Sequence, residues 1–330
     1  MTTQTVEHDV EFYRGEITGY CYRMLGSVFE ADDAAQETMV RAWKSIDRFE
    51  GRSSLRTWLY RIATNICLDA LRGRARKDRP MDMGPSSPPD ISHLGPQLID
   101  HPWLLPMPDA LIDPATVAVG RESVRLAFVA ALQHLPARQR AVLILCQVLS
   151  WPAVDVAELL DTSTASVNSA LQRARATMES LDLGLSPLDA STPDLAADQQ
   201  QLLDSFVKAF EDYDMDRLAL LLRDDVVQNM PPFALWLEGP GSVVTWMLGA
   251  GAECEGSRML PTRANGCAAF GQYRRAETFD DPELAAMGGH LPWALQVIEL
   301  RGGLISGITS FLGDELFSAF GLPAHLPAAS

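Results

Sequence analysis

Two stretches of the chain set apolar and polar positions at a helical period, and a third mixes helical and strand periods. Between Asp32 and Ile46, residues Ala35, Met39, Ala42, Trp43 and Ile46 fall on one face. Asp32, Asp33, Gln36, Glu37, Arg41 and Lys44 fall on the other, which predicts an amphipathic helix. Asp32 and Asp33 then stand in its first turn, where the helix dipole favours negative charge. Gly51 breaks the pattern, and Ser53 or Ser54 can cap a second helix with the stripe Leu55, Leu59, Ile62, Ala63, Ile66 and Ala70. Farther on, Val156, Leu159 and Leu160, then Val167, Ala170, Leu171, Ala174 and Met178, trace two helices joined by Asp161 to Ser163. Pro152 suits the first position of the earlier one, where a missing N–H costs nothing. The later one turns Thr164, Asn168, Ser169, Gln172, Arg173 and Arg175 outward. After residue 199, Leu202, Leu203, Phe206, Val207 and Phe210 mark a helix, and Met215 to Leu222 a second. Strand-like runs follow at Asp225 to Met230, Ala268 to Tyr273, Trp293 to Leu300 and Leu304 to Phe311. Helices followed by strands predict an α+β domain rather than a parallel βαβ sheet.

Proline-rich stretches divide these patterns. They predict helical domains over 1–80 and 118–182, linkers over 81–117 and 183–198, and the mixed domain over 199–330. The first linker carries an apolar kernel of Trp103, Leu104, Leu105 and Met107, which would gain by docking on a domain surface. No apolar run reaches the ~18 residues of a membrane span. The N-terminus lacks a signal-peptide design, so the protein is expected in the cytoplasm. The five cysteines are odd in number and lack C-x-x-C spacing, so they read as reduced thiols rather than a disulfide or zinc framework. No cofactor, metal or membrane partner is expected.

Charge sharpens the picture. The net charge is -16, yet Arg41 to Arg79 hold eleven Lys and Arg against four acids, and from Leu181 onward eight basic residues face twenty-one acidic ones. An acidic chain binds free DNA poorly, so a basic block inside it fits a DNA reader that another partner must present. Within that block Arg52, Arg56, Trp58, Tyr60, Arg61 and Asn65 cluster near a helix start. Cations beside flat rings suit the phosphates and stacked bases of unpaired DNA. The alternative for Trp58 and Tyr60 is plain core packing. The paired helices at 152–178 fit a helix-turn-helix, whose second helix can reach base edges and phosphates; a simple helical hairpin is the alternative.

The strings DDAAQETMVRAW and SLRTWLYRIATNICLDALR resemble the second conserved domain of sigma-70-type factors of the extracytoplasmic-function (ECF) group. That resemblance implies that Asp33, Gln36, Glu37 and Trp43 dock the β′ clamp helices of core RNA polymerase. It also implies that Arg52, Ser53, Arg56, Trp58, Arg61 and Asn65 melt and read the promoter -10 element. LPARQRAVLIL and VAELLDTSTASVNSALQRARATM resemble the fourth sigma domain. This implies -35 reading by Thr164, Asn168, Ser169, Gln172, Arg173 and Arg175, beside the polymerase β flap. Asp161 stands where relatives place glycine. HPWLLPMPDALID resembles a linker motif of a subgroup with a C-terminal SnoaL-like α+β cone, which implies docking by Trp103 and Leu104. FVKAFEDYDMDRLALLLRDDVVQNMPP resembles such a cone. Its apolar pocket is expected to be lined by Met230, Phe233, Trp236, Trp246 and Trp293 and to be a candidate for a small-molecule ligand. Asp225 or Glu238 with His290 would be an acid/base pair, but no spacing brings them together, and no catalytic residue is expected.

The reading is therefore a sigma factor regulated by its own C-terminal domain. The rivals are a one-component helix-turn-helix regulator with a ligand domain, and a polyketide-cyclase-like enzyme fused to a DNA-binding head. Residues 32–43 and 49–72 argue against both, because neither needs a melting module.

Overall fold

The computed structural model describes residues 10–49, 51, 53–112, 123, 125–181 and 197–328. Helix α1 (Arg14–Leu25) ends at Gly26, whose φ of 70° turns the chain and sends its N–H to the Tyr22 carbonyl at 2.7 Å. A Cβ here would stand 3.0 Å from Leu104 and 3.1 Å from Gln133, so only glycine fits without displacement. Ser27 then caps α2 (Val28–Ser45), accepting from the Glu30 N–H. The helix thus starts before Asp32, and its first turn holds Glu30 rather than the expected pair Asp32 and Asp33. The polar-apolar pattern weakens toward Phe29 and Glu30, while the cap lies just upstream. Ala35, Met39 and Ala42 are fully buried; Trp43, expected on that face, is 41% exposed.

Ser54 caps α3 (Leu55–Ala70) by accepting from the Thr57 N–H at 3.0 Å. Its buried stripe is Leu59, Tyr60, Ala63, Thr64 and Cys67, while Leu55, Ile62, Ile66 and Ala70 are only half-buried. The stripe is rotated from the predicted one because the two hydroxyls find partners inside. Tyr60 donates to Glu16 at 2.9 Å, and the Thr64 and Tyr20 hydroxyls meet at 2.8 Å. A buried hydroxyl with a partner costs little, so pattern reading undercounts such positions.

The strap from Leu104 to Ile112 returns to these helices. Leu105 donates its N–H to the Gly26 carbonyl at 3.0 Å and accepts from the Tyr22 hydroxyl at 2.9 Å. Next come α4 (Leu126–Gln133), α5 (Ala137–Leu143) running into a π turn at Ile144–Val148, α6 (Ala153–Leu159) and α7 (Thr164–Ser180). Pro152 sits at the N-cap of α6, one position before the expected one. Asp161 adopts φ 49°, the left-handed turn that glycine would supply, and Ser163 caps α7. Two buried arginines tie α4 and α5 to α1. Arg140 donates to the carbonyls of Met24, Gln133 and Leu135 and to the Gln133 side chain. Arg23 reaches the Gly19 carbonyl and both oxygens of Ser123. Burial pushes both guanidinium groups down to about 10.

The chain divides into two compact units, Met1–Asp78 with Leu104–Leu185, and Arg79–Trp103 with Ser186–Ser330. The linker expected over 81–117 is therefore shared between them. In the second unit, α8 (Ala197–Glu211), α9 (Met215–Leu221) and α10 (Pro240–Leu248) pack with a six-stranded sheet. The strands are β1 (Leu222–Asn229), β2 (Trp236–Glu238), β3 (Arg258–Ala264), β4 (Cys267–Arg275), β5 (His290–Arg301) and β6 (Leu304–Leu312). Short helices α11 (Pro282–Ala286) and α12 (Glu315–Ala319) complete it. The order is β2-β1-β6-β5-β4-β3; β1 runs parallel to β6 and all other pairs are antiparallel. Edge strands β2 and β3 escaped the sequence reading. β2 has three residues, and β3 carries Pro261, which an edge tolerates.

Linker residues sit on this unit through backbone bonds. Ser87 donates to the Trp236 carbonyl at 2.8 Å and Leu98 to the Pro232 carbonyl at 2.9 Å. The Trp236 indole donates to the Gly84 carbonyl at 2.8 Å. Trp103 is buried, donating to the Leu98 carbonyl at 2.9 Å and stacking edge-on against His101. Leu104 is buried in the helical unit. All five cysteines are free, and no helix among the described residues is long and apolar enough to cross a membrane.

Candidate nucleic-acid interface and ligand pocket

Helix α2 presents Asp33, Gln36, Glu37 and Trp43 to solvent. The other face of the helix, with Ala35, Met39 and Ala42, is packed into the core, so these four side chains are left exposed for contacts outside the unit. Arg52 lies outside the described residues. Ser53 is half-buried, and Asn65 is exposed on α3. Trp58 packs against Phe49 with ring centroids 5.1 Å apart. Arg56 is ion-paired with Glu16.

The helix-turn-helix covers part of this surface. Trp151, 8% exposed, lies against the Tyr60 ring at 5.0 Å, and the Arg56 guanidinium stacks over it at 5.1 Å. Arg61 donates to the Glu158 carbonyl at 2.8 Å. Two arginines expected to face DNA are thus engaged by α6 and the turn before it. Tyr60 belongs to the core, as its packing alternative held. On α7, Thr164, Asn168, Ser169, Gln172, Arg173 and Arg175 are all exposed, with Val167 and Ala174 buried behind them.

The mixed unit holds a pocket of about 460 Å³, mouth included, between its helices and its sheet. Met230, Trp246 and Trp293 are among its lining residues. Phe233 and Trp236 lie outside its lining: Phe233 closes a turn on Met230, and Trp236 is turned to the linker. The acid/base candidates stay apart from it. Asp225 pairs with Arg223, His290 bonds to the Gly256 carbonyl, and Glu238 is exposed.

The Sigma-70 region 2 family model matches residues 10–77, and Sigma-70 region 4 matches residues 125–178. The chain is 43% identical to the ECF RNA polymerase sigma factor SigG of Mycobacterium tuberculosis, over 96% of this chain and 83% of that protein. The chain belongs to the ECF RNA polymerase sigma factors. ECF sigma factor SigW of Bacillus subtilis is 30% identical over 50% of this chain and 82% of its own. The crystal structure of Mycobacterium tuberculosis sigma factor SigJ shares the fold over 96% of this chain and 99% of that one, with TM-score 0.60 at 21% identity.

As a sigma factor the protein binds core RNA polymerase and promoter DNA and directs transcription initiation. The rival readings as a polymerase-independent regulator or a cyclase-like enzyme are not favoured. Its C-terminal unit is an α+β fold in which helices pack with a six-stranded mixed sheet. Trp151, Glu16, Arg23 and Arg140 were not singled out from the sequence. The signal for Trp151 was its type: an aromatic just before the first helix of a helix-turn-helix, where a polar residue is usual. In the sigma factor, Gln172→Ala and Arg173→Ala should each cost about 1–3 kcal/mol on promoters with an intact -35 element and much less on scrambled ones. Electrophoretic mobility shifts with holoenzyme check this; equal losses on both sequences would make them phosphate contacts.

Proposed function

We propose that the free sigma factor is held closed by its own region 4, and that core polymerase opens it. Asp33, Gln36, Glu37 and Trp43 dock the β′ clamp helices, and region 4 engages the β flap. The start of α3, with Arg52, Ser53, Arg56, Trp58, Arg61 and Asn65, then melts and reads the -10 element, while the outer face of α7 reads -35. The protein acts in the cytoplasm by binding and strand separation, and its C-terminal cone is a regulatory part that receives a small molecule. The observation that carries this reading is the Trp151 indole seated on Arg56 and Tyr60. While it sits there, the indole covers one face of the Arg56 guanidinium, whose N–H groups are held by Glu16, and so takes the place a base would stack in. The net charge of -16 adds to the closure, because it disfavours DNA binding by the free chain.

Trp151→Ala tests it. An aromatic anchor in a packed contact is commonly worth 2 kcal/mol or more. The free variant should therefore bind single-stranded -10 DNA, taken from promoters that the holoenzyme opens, about tenfold or more tighter than the parent. Fluorescence anisotropy reads the change. Unchanged affinity would mean that the contact does not gate DNA access.

A further inference from the structure

The pocket of the cone has a chemistry of its own, and it deepens the reading of that unit as the ligand-receiving part. Its walls are Phe206, Phe210, Met230, Trp246 and Trp293, and amides stand on the sheet side. One amide is out of balance. Gln296 is 3% exposed, and its Nε2 donates to Gln272 Oε1 at 2.8 Å. Gln272 in turn donates to Ser257 Oγ at 3.1 Å. In this arrangement Gln296 Oε1 is buried with no hydrogen-bond partner. A buried carbonyl without a donor is costly, and one that lines a cavity is a receptor for a donor.

The remaining lining removes other ligand classes. No Asp, Glu, His, Lys or Arg lines the pocket. Cys254 does, but burial pushes its thiol pKa up, so it stays neutral. A carboxylate or phosphate would find no cation in the lining, since Arg274 stands behind the Trp293 ring and is paired with Glu253, and an ammonium would find no carboxylate; either would lose its water with little compensation. We infer that the pocket binds a neutral, mostly apolar small molecule whose one hydroxyl or N–H donates to Gln296 Oε1 while its ring or alkyl body lies among Phe206, Trp246 and Trp293.

Four probes on the full-length protein test this: 4-methylphenol, its methyl ether, 4-methylacetophenone and 4-methylbenzoate, each titrated by ligand-observed NMR. The phenol should bind about tenfold tighter than the ether or the ketone, which offer no donor, and the carboxylate weakest of all. In Gln296→Met the phenol should fall to the level of the ether, while ether binding persists and certifies an intact pocket. Equal binding of phenol and ether to the parent, or preference for the ketone or the carboxylate, overturns the donor assignment and leaves a pocket of another class. If none of the four binds, the ligand-receiving role of the cone falls as well. Sigma activity is not the readout, so neither outcome touches it.

Discussion

Holoenzyme carrying Trp58→Ala and Arg61→Ala should bind duplex promoter DNA nearly as well as the parent yet open it far less. Trp58 stands half-buried near the start of α3, with Phe49 against it at 5.1 Å. Phe49 holds the indole in place, which lowers the ordering cost of stacking a base upon it. Arg61 spends its guanidinium on the Glu158 backbone carbonyl, a neutral acceptor that it can exchange for a phosphate at little loss. Base–aromatic stacking contributes about 1–3 kcal/mol, so the Trp58 change alone should lower the opening equilibrium by roughly 5- to 150-fold. Permanganate footprinting reports unpaired thymines in the open complex. Parental reactivity in both variants would remove the melting role from this face.

Arg140→Met should cost the helical unit about 3–5 kcal/mol. The guanidinium is 4% exposed and serves the carbonyls of Met24, Gln133 and Leu135 and the Gln133 side chain. Methionine keeps much of the volume and leaves those acceptors buried without donors, the case in which loss of one partner costs far more than the interaction returned. Arg140→Lys should not rescue, because an ammonium on a flexible stem cannot span acceptors that a planar fork serves together. Burial lowers the pKa of Arg140 to about 10, a desolvation cost that the four hydrogen bonds offset while the guanidinium stays charged near neutral pH. The chain has two units and need not unfold in one step, so urea unfolding should be followed by hydrogen exchange of α1 and α5 separately from the sheet. Stability unchanged in α1 and α5 would show the fork to be dispensable.

Those two predictions fall on opposite sides of what pattern reading can reach. Trp58 and Arg61 lie in a local string whose composition already suggests unpaired DNA, and α7 exposes all six residues that its period turns outward. Local periodicity survives folding when one face of one helix decides the outcome. Arg140 bonds to Met24 across 116 positions, and Arg23 to Ser123 across 100; no local pattern marks a buried cation whose partners are distant backbone carbonyls. The α3 stripe was misjudged because Tyr60 and Thr64 are buried by virtue of partners on α1. Trp236 was assigned to the pocket by residue type, whereas its indole N–H had a claim on Gly84, 152 positions away.

The strap under Gly26 fixes how far apart the two DNA readers can travel. Leu104 and Leu105 are bonded to Asp78 and Gly26, so while they hold and once Arg23 releases Ser123, the chain that can extend between Ile112 and α4 spans positions 113 to 125. At roughly 3.5 Å per extended residue that tether reaches about 45 Å. If the strap lets go and residues 79–103 also peel from the cone, the tether runs from 79 to 125 and reaches roughly 160 Å. The protein thus carries a cord of two lengths. With the strap seated, promoter sites can be engaged together only when their spacing fits the short one. The knot between the two lengths is tied by a glycine, a tyrosine hydroxyl and two backbone bonds.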